Sequence, residues 1–168
     1  MRTVFAAAPR EQLRAAGGDK RVVAQLSAMR QAMLWQLRER VDERPFLGNQ
    51  AAVLDYLRLA QAFAPLEEIR LFHLDAKGRM LREERFPPGS ADETGVNIRA
   101  IIAQALEIGS VFLVLVHNHP SGDPAPSGAD KDLTRRLSAT THSLGIRLVD
   151  HLIVASGGCY SFREAGLL

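Results

Sequence analysis

The stretch Val111-Phe112-Leu113-Val114-Leu115-Val116-His117-Asn118-His119-Pro120 decides the fold, and the ten residues after it, SGDPAPSGAD, lead to Asp130. Residues 111–116 are apolar on both faces and too few for a typical helix, the pattern of a buried central strand. Side chains alternate along extended backbone, so His117 and His119 leave one face of the sheet and Asn118 the other. Pro120 has no N–H to donate and stops the ladder. Two imidazoles and one carboxylate converging on a point make the three-ligand set of a catalytic zinc, with a fourth position left for water. Ser127-Gly128-Ala129-Asp130 also fits a capping box, Asp standing in for the usual Glu or Gln. It opens a helix over residues 130–144, with Leu133, Leu137, Thr140 and Leu144 at helical spacing. On that reading Ser127 and Asp130 are helix-start residues and nothing more.

Outward from this centre, residues 96–109 carry Ile98, Ile101, Ile102 and Ala105 at helical spacing and stop at Gly109. Residues 68–75 and 80–86 read as the strands of a hairpin through Asp75-Ala76-Lys77-Gly78, closed by Pro87-Pro88-Gly89. Asn49 can cap a helix over residues 50–64. Over residues 20–41, Val22, Leu26, Met29, Met33, Leu37 and Val41 recur three or four apart, with Leu34 and Trp35 beside or off the stripe. That long amphipathic helix packs either on the rest of the chain or on a second copy, so a homodimer through it is an expectation. Residues 1–19 lack a clear period and read as a mobile or extended leader. Beyond Gly145, residues 146–155 form a strand, and residues 159–162 return through Gly157-Gly158. Helices interleaved with a mixed sheet give an α/β class in layers. Residues 1–65 are assigned to the leader and a helical extension, and residues 66–168 to the domain that carries the site.

The net charge of +2 is too small to argue for nucleic acid. Residues 1–44 hold nine Lys/Arg against five Asp/Glu, a bias that a solvated helix explains as well as a DNA contact does. The single Cys159 rules out an intrachain disulfide and a Cys-rich zinc site. No apolar run approaches the ~18–20 residues of a membrane span. The apolar patch near the amino terminus is shorter than a signal-peptide core, so the expected location is cytoplasmic. The sequence contains no H-E-x-x-H, no deaminase pattern, no G-x-S-x-G elbow and no P-loop. Metal-assisted hydrolysis on an H-x-H…D set is what remains.

His117-Asn118-His119-Pro120, six residues, Ser127, two residues and Asp130 resemble the JAMM (MPN+) metalloprotease motif at every position. The text LVHNHPSGDPAPSGADKDLTRRL and GIRLVDHLIVASGGCYSFREAG is similar to the RadC family in particular. The likeness runs over residues 66–168 and more loosely over 20–65. It implies a JAB/MPN fold, cytidine-deaminase-like, and a zinc-dependent hydrolase of peptide or isopeptide bonds. One Zn2+ per chain would sit on His117, His119 and Asp130. The JAMM general base is a Glu on an early strand, and the RadC-like E-x-x-F pattern falls on Glu83 and Phe86, so Glu83 is the expected base. The adjacent Glu84 would face the other side and is the alternative; a charged edge strand paired with Arg82 and Arg85 would account for both. Ser127 is expected to hydrogen-bond the water or the oxyanion. Asp150-His151 is either a hydrogen-bonding support for the site or a satisfied, partly buried pair. His73 and His142 have no evident partners, and the family spacing favours Asp130 over Asp123 as the carboxylate. Family members usually carry a helix-hairpin-helix module before the long helix, of which residues 9–18 would be at most a remnant. The expected partner is a peptide or protein-conjugate substrate. The alternatives are a DNA-associated repair or recombination accessory protein, or a metal-binding scaffold that has lost catalysis. Iron or cobalt could replace zinc among such ligands.

Overall fold

Strand β3 (Phe112–Asn118) is central to a five-stranded sheet in a computed structural model that describes residues 9–86 and 97–168. Before it come α1 (Pro9–Ala15), α2 (Lys20–Asp42), a 3-10 turn (Phe46–Gly48), α3 (Gln50–Gln61), β1 (Ile69–Leu74), β2 (Met80–Phe86) and α4 (Ile98–Ile108). After it come α5 (Gly128–His142), β4 (Arg147–Ala155) and β5 (Gly158–Ser161). The strand order is β2-β1-β3-β4-β5, with β3 and β4 parallel and every other pair antiparallel. A parallel pair needs a crossover, and α5 supplies it. The layered α/β architecture expected from the sequence is the one observed.

The period-2 alternation of β3 divides the core in two. Leu113 and Leu115 pack with Ile101 and Ala105 of α4 and Leu137 of α5. Val114 and Val116 pack on the other face with Val53 and Leu57 of α3 and Phe46. Each fully buried aliphatic side chain of this kind contributes about 1.5–3 kcal/mol. Helix α3 and Val41 of α2 thus belong to the same core as the sheet. Arg30 ties α2 to α3 by donating to the carbonyls of Leu59 and Ala60 at 3.2 and 3.0 Å, the last turn of α3, where carbonyls lack helical partners.

Several boundaries differ from the expectation. The stretch 1–19, read as a mobile or extended leader, contains helix α1; residues 1–8 lie outside the described residues. Helix α5 begins at Gly128, because Ser127 occupies the cap. Val96 and Pro87-Pro88-Gly89 lie outside the described residues, and α4 begins after Asn97, whose side chain accepts from Ala100 N. The apolar stripe of α2 is buried only at its carboxyl end. Val41 is 1% exposed, whereas Met29 and Met33 are 54% and 46% exposed and Trp35 66%. Among the described residues no helix is long and apolar enough to cross a membrane.

Candidate metal centre

The site forms where β3 ends and α5 begins, at the carboxyl edge of the parallel pair, the usual place for ligands in such βαβ units. His117 is the last residue of β3 on the α5 face, and Asn118 points to the α3 face, as alternation requires. His119 continues the ladder for one more bond, its N–H donating to Val154 O at 3.1 Å. Asp130 is the third residue of α5, set there by the capping box. Ser127 Oγ accepts from Asp130 N at 3.1 Å, while Ser127 N and Ser127 Oγ donate to Asp130 Oδ2 at 2.7 and 2.6 Å. The two readings of Ser127 and Asp130 are therefore one structure. The cap that starts the helix also aims the carboxylate.

The structure brings His117, His119 and Asp130 together as a group able to hold a metal ion. His117 Nε2 is 3.0 Å from His119 Nε2 and 3.2 Å from Asp130 Oδ1, and His119 Nε2 is 3.5 Å from Asp130 Oδ2. Atoms held ~2.0–2.1 Å from a tetrahedral zinc are about 3.3 Å apart, and the two nitrogens and the carboxylate, which meets His117 through Oδ1 and His119 through Oδ2, lie close to that spacing. The donor set fits as well. His119 Nδ1 lies 2.9 Å from Asp123 O, a carbonyl that can only accept, so Nδ1 carries the proton. In the neutral ring this leaves a lone pair on Nε2, facing His117 Nε2 and a carboxylate. Burial alone would raise the Asp130 carboxyl. The His117 ring and the Ser127 hydrogen bonds outweigh it and hold the group well below the ordinary carboxylate range, so it is ionised.

The loop between the ligands is fixed by backbone contact. Gly157 N donates to Gly122 O at 3.0 Å, and a Cβ on Gly157 would lie 2.6 Å from that oxygen. Only glycine permits this approach of the β4–β5 turn to the loop that carries Asp123 O.

Behind His117 lies His151, fully buried, its Nε2 2.8 Å from His117 Nδ1 and its Nδ1 2.6 Å from Thr134 Oγ1. Burial and the neighbouring His117 push the His151 ring down to about 3, so it is neutral. Asp150 does not share this role. It accepts from Ser161 Oγ at 2.7 Å and from the backbone N–H of His151 and Arg163 at 2.8 and 3.1 Å, bracing β5 instead. Cys159 is half-buried, and burial together with Asp150 pushes its thiol up to about 11, so it is not a nucleophile.

The glutamates expected to supply the base are elsewhere. Glu83 pairs with Phe72, whose side chain packs with α3, so it occupies the sheet face opposite His117. Its carboxylate accepts from Arg70 at 2.6 Å and Tyr56 at 2.7 Å, and from Arg38. Glu84 shares the face of His117 but lies against His73, Oε2 to Nε2 3.4 Å. His73 is buried and completes its bonds with Ser110 Oγ at 2.8 Å, and His142 is exposed at the end of α5. The carboxylate beside this cluster is Glu67, absent from the expectation, with Oε1 3.9 Å from His117 Nε2 and a side chain 53% exposed. Asn118 places it. Asn118 Oδ1 accepts from Glu68 N at 2.8 Å, and Asn118 Nδ2 donates to Leu66 O at 3.1 Å, bracketing Glu67 on both sides. No spacing along the sequence places Glu67 there; the pairing of β1 with β3 does. Antiparallel register sets Ile69 opposite His117, which brings the residues just before β1 to the end of β3.

Ser127 is not aimed at a substrate in this arrangement. Its one hydroxyl proton goes to Asp130 Oδ2, so it holds the Asp130 carboxylate rather than an oxyanion.

A UPF0758 protein of Rhodobacter capsulatus is 39% identical over 165 residues, covering 98% of this chain and 77% of that protein. A UPF0758 protein of Ruegeria pomeroyi is 36% identical over 162 residues, covering 96% of this chain and 72% of that protein. The family description "RadC-like JAB domain" matches residues 47–167, a span that takes in α3, the whole sheet and every residue of the cluster just described, so the chain belongs to the RadC-like JAB domain family.

Proposed function

We propose that this protein is a metal-dependent hydrolase of peptide or isopeptide bonds, with zinc held by His117, His119 and Asp130 and with Glu67 as the general base. The observation that supports it most is the convergence of two imidazole nitrogens and one ionised carboxylate within 3.0–3.5 Å, with a second, half-exposed carboxylate 3.9 Å away. When bound, a zinc ion acidifies a water and polarises a carbonyl. Glu67 is the group positioned to take a proton from an attacking water and return it to the leaving amine. A gap of 3.9 Å is too long for a direct hydrogen bond and suits one bridging water. The partial exposure of Glu67 leaves the side of the cluster opposite His151 open to a substrate chain. The buried network behind the ligands keeps them fixed while that side exchanges water for substrate.

The test is elemental analysis of the purified full chain, followed by hydrolysis of a quenched-fluorescence peptide library. Wild type is expected to hold about one zinc per chain and to cleave. Glu67→Gln is expected to keep the metal and lose about 100-fold or more in rate, while Glu83→Gln keeps its turnover. A wild type without metal, or a Glu67→Gln variant of undiminished rate, would overturn the reading. Metal content without cleavage in wild type would leave a binding scaffold.

A further inference from the structure

A hydrogen-bonded chain runs from the metal-facing ring of His117 to the backbone of the helix that carries Asp130, and its direction is fixed at one end. Asp130 O is a carbonyl oxygen and can only accept, so Thr134 Oγ1, 2.6 Å away, must donate its single proton there. That hydroxyl oxygen can then only accept from His151 Nδ1, 2.6 Å away. His151 is fully buried and its ring nitrogens meet Thr134 and His117 rather than a carboxylate, so the ring is neutral, and with its proton on Nδ1 its Nε2 is bare. The bare nitrogen accepts from His117 Nδ1–H across 2.8 Å. Thr134, His151 and His117 are 1%, 0% and 2% exposed, so water does not substitute for any partner. Phe162 stacks on His151 at 4.6 Å between ring centroids and 15° between planes, which holds the ring in the orientation the chain needs.

We propose that Thr134 and His151 are positioning residues that fix His117 with its proton on Nδ1 and its Nε2 lone pair turned to the metal. The inference rests on the metal-centre reading above. It gives Asp130 two roles, its carboxylate as ligand and its main-chain oxygen as the fixed end of the relay. Without the Thr134 oxygen, the buried Nδ1–H of His151 has no acceptor. The His151 proton then moves to Nε2, where it meets His117 Nδ1 as a donor. That places the His117 proton on Nε2, in the path of the metal.

Metal-free full chain labelled with 15N-histidine is to be examined by long-range proton–nitrogen NMR at mildly alkaline pH. His151 is expected to show a protonated Nδ1 and a bare Nε2. Thr134→Val, which keeps the side-chain volume, is expected to move that proton to Nε2. It should also weaken zinc binding, measured by competition with a chromophoric chelator, by about 10–100-fold. Thr134→Ser keeps the hydroxyl and is expected to restore both. A wild-type His151 protonated on Nε2, or a Thr134→Val variant with wild-type tautomer and wild-type zinc affinity, overturns the proposal. Absence of zinc binding in wild type sinks the metal-centre reading alone, because the tautomer is read without metal and decides the relay by itself.

Discussion

At the scale of single residues, two glutamates of the same sheet have opposite environments, and these dictate opposite uses. Glu67 stands half-exposed beside His117. Glu83 is 6% exposed and saturated by cations, with Arg70 at 2.6 Å and Arg85 at 3.3 Å besides Arg38 and Tyr56. Burial by itself would raise the Glu83 carboxyl, but the Tyr56 hydrogen bond and the Arg70 guanidinium outweigh it and hold it below the ordinary range. A folded value below the unfolded one means that the stabilisation is fully present above the unfolded pKa of about 4.3 and is lost as pH falls through the folded value. Removing the charge also leaves Arg70, 4% exposed, without its closest partner. Glu83→Gln is therefore expected to lower stability by about 3 kcal/mol at neutral pH. Urea unfolding at a series of pH values should show the gap between variant and wild type narrowing below about pH 4. A gap that widens in acid, or none at pH 7, would contradict the sign argued here.

At the scale of elements, the first turn of α5 both starts the helix and holds the Asp130 carboxylate in the cluster, and the two can be separated by substitution. Ser127→Ala removes the acceptor for Asp130 N and the hydroxyl that donates to Asp130 Oδ2. Loss of such a cap costs about 1–2 kcal/mol, and release of the carboxylate should reduce zinc affinity by about tenfold. Gly128 sits beside it in the same turn, and a Cβ there would meet nothing within 4 Å. Gly128→Ala is thus expected to add about 0.5 kcal/mol through the lower entropy of its unfolded chain, with zinc affinity unchanged. Thermal unfolding and chelator competition on both variants check the pair. If Ser127→Ala lost stability but kept its affinity, the cap would be a helix signal only.

At the scale of the whole molecule, the order of strands and helices was legible because the unbroken apolar run 111–116 leads into and fills most of β3, and Gly109 and Gly145 follow the helices on either side. The cluster of His117, His119 and Asp130 was legible for a related reason. They lie within fourteen residues of one another, so strand alternation and a helix cap suffice to bring them together. Glu67 was not legible, because it reaches the site only through a pairing across the sheet, β1 against β3, that spacing along the chain does not encode. His151 depended likewise on β3 lying parallel to β4, with Leu115 as its partner. The same geometry gives a consequence for stability. His117 and His119 at the end of β3 and Asp130 in α5 lie on one side of the sheet, and an ion held among them ties strand to helix. A ligand present at a hundred times its dissociation constant stabilises the folded state by about 2.7 kcal/mol. For a chain of this size each kcal/mol is worth roughly 2–4 °C, so a chelator is expected to lower the melting temperature by about 5–10 °C. Hydrogen exchange should then quicken over residues 117–134, while Leu57 and Phe72 in the α3-side core keep their protection. The His117→Ala/His119→Ala double variant should melt at one temperature with or without chelator. A chelator effect that persisted in that variant would place the stabilising ion outside these three side chains.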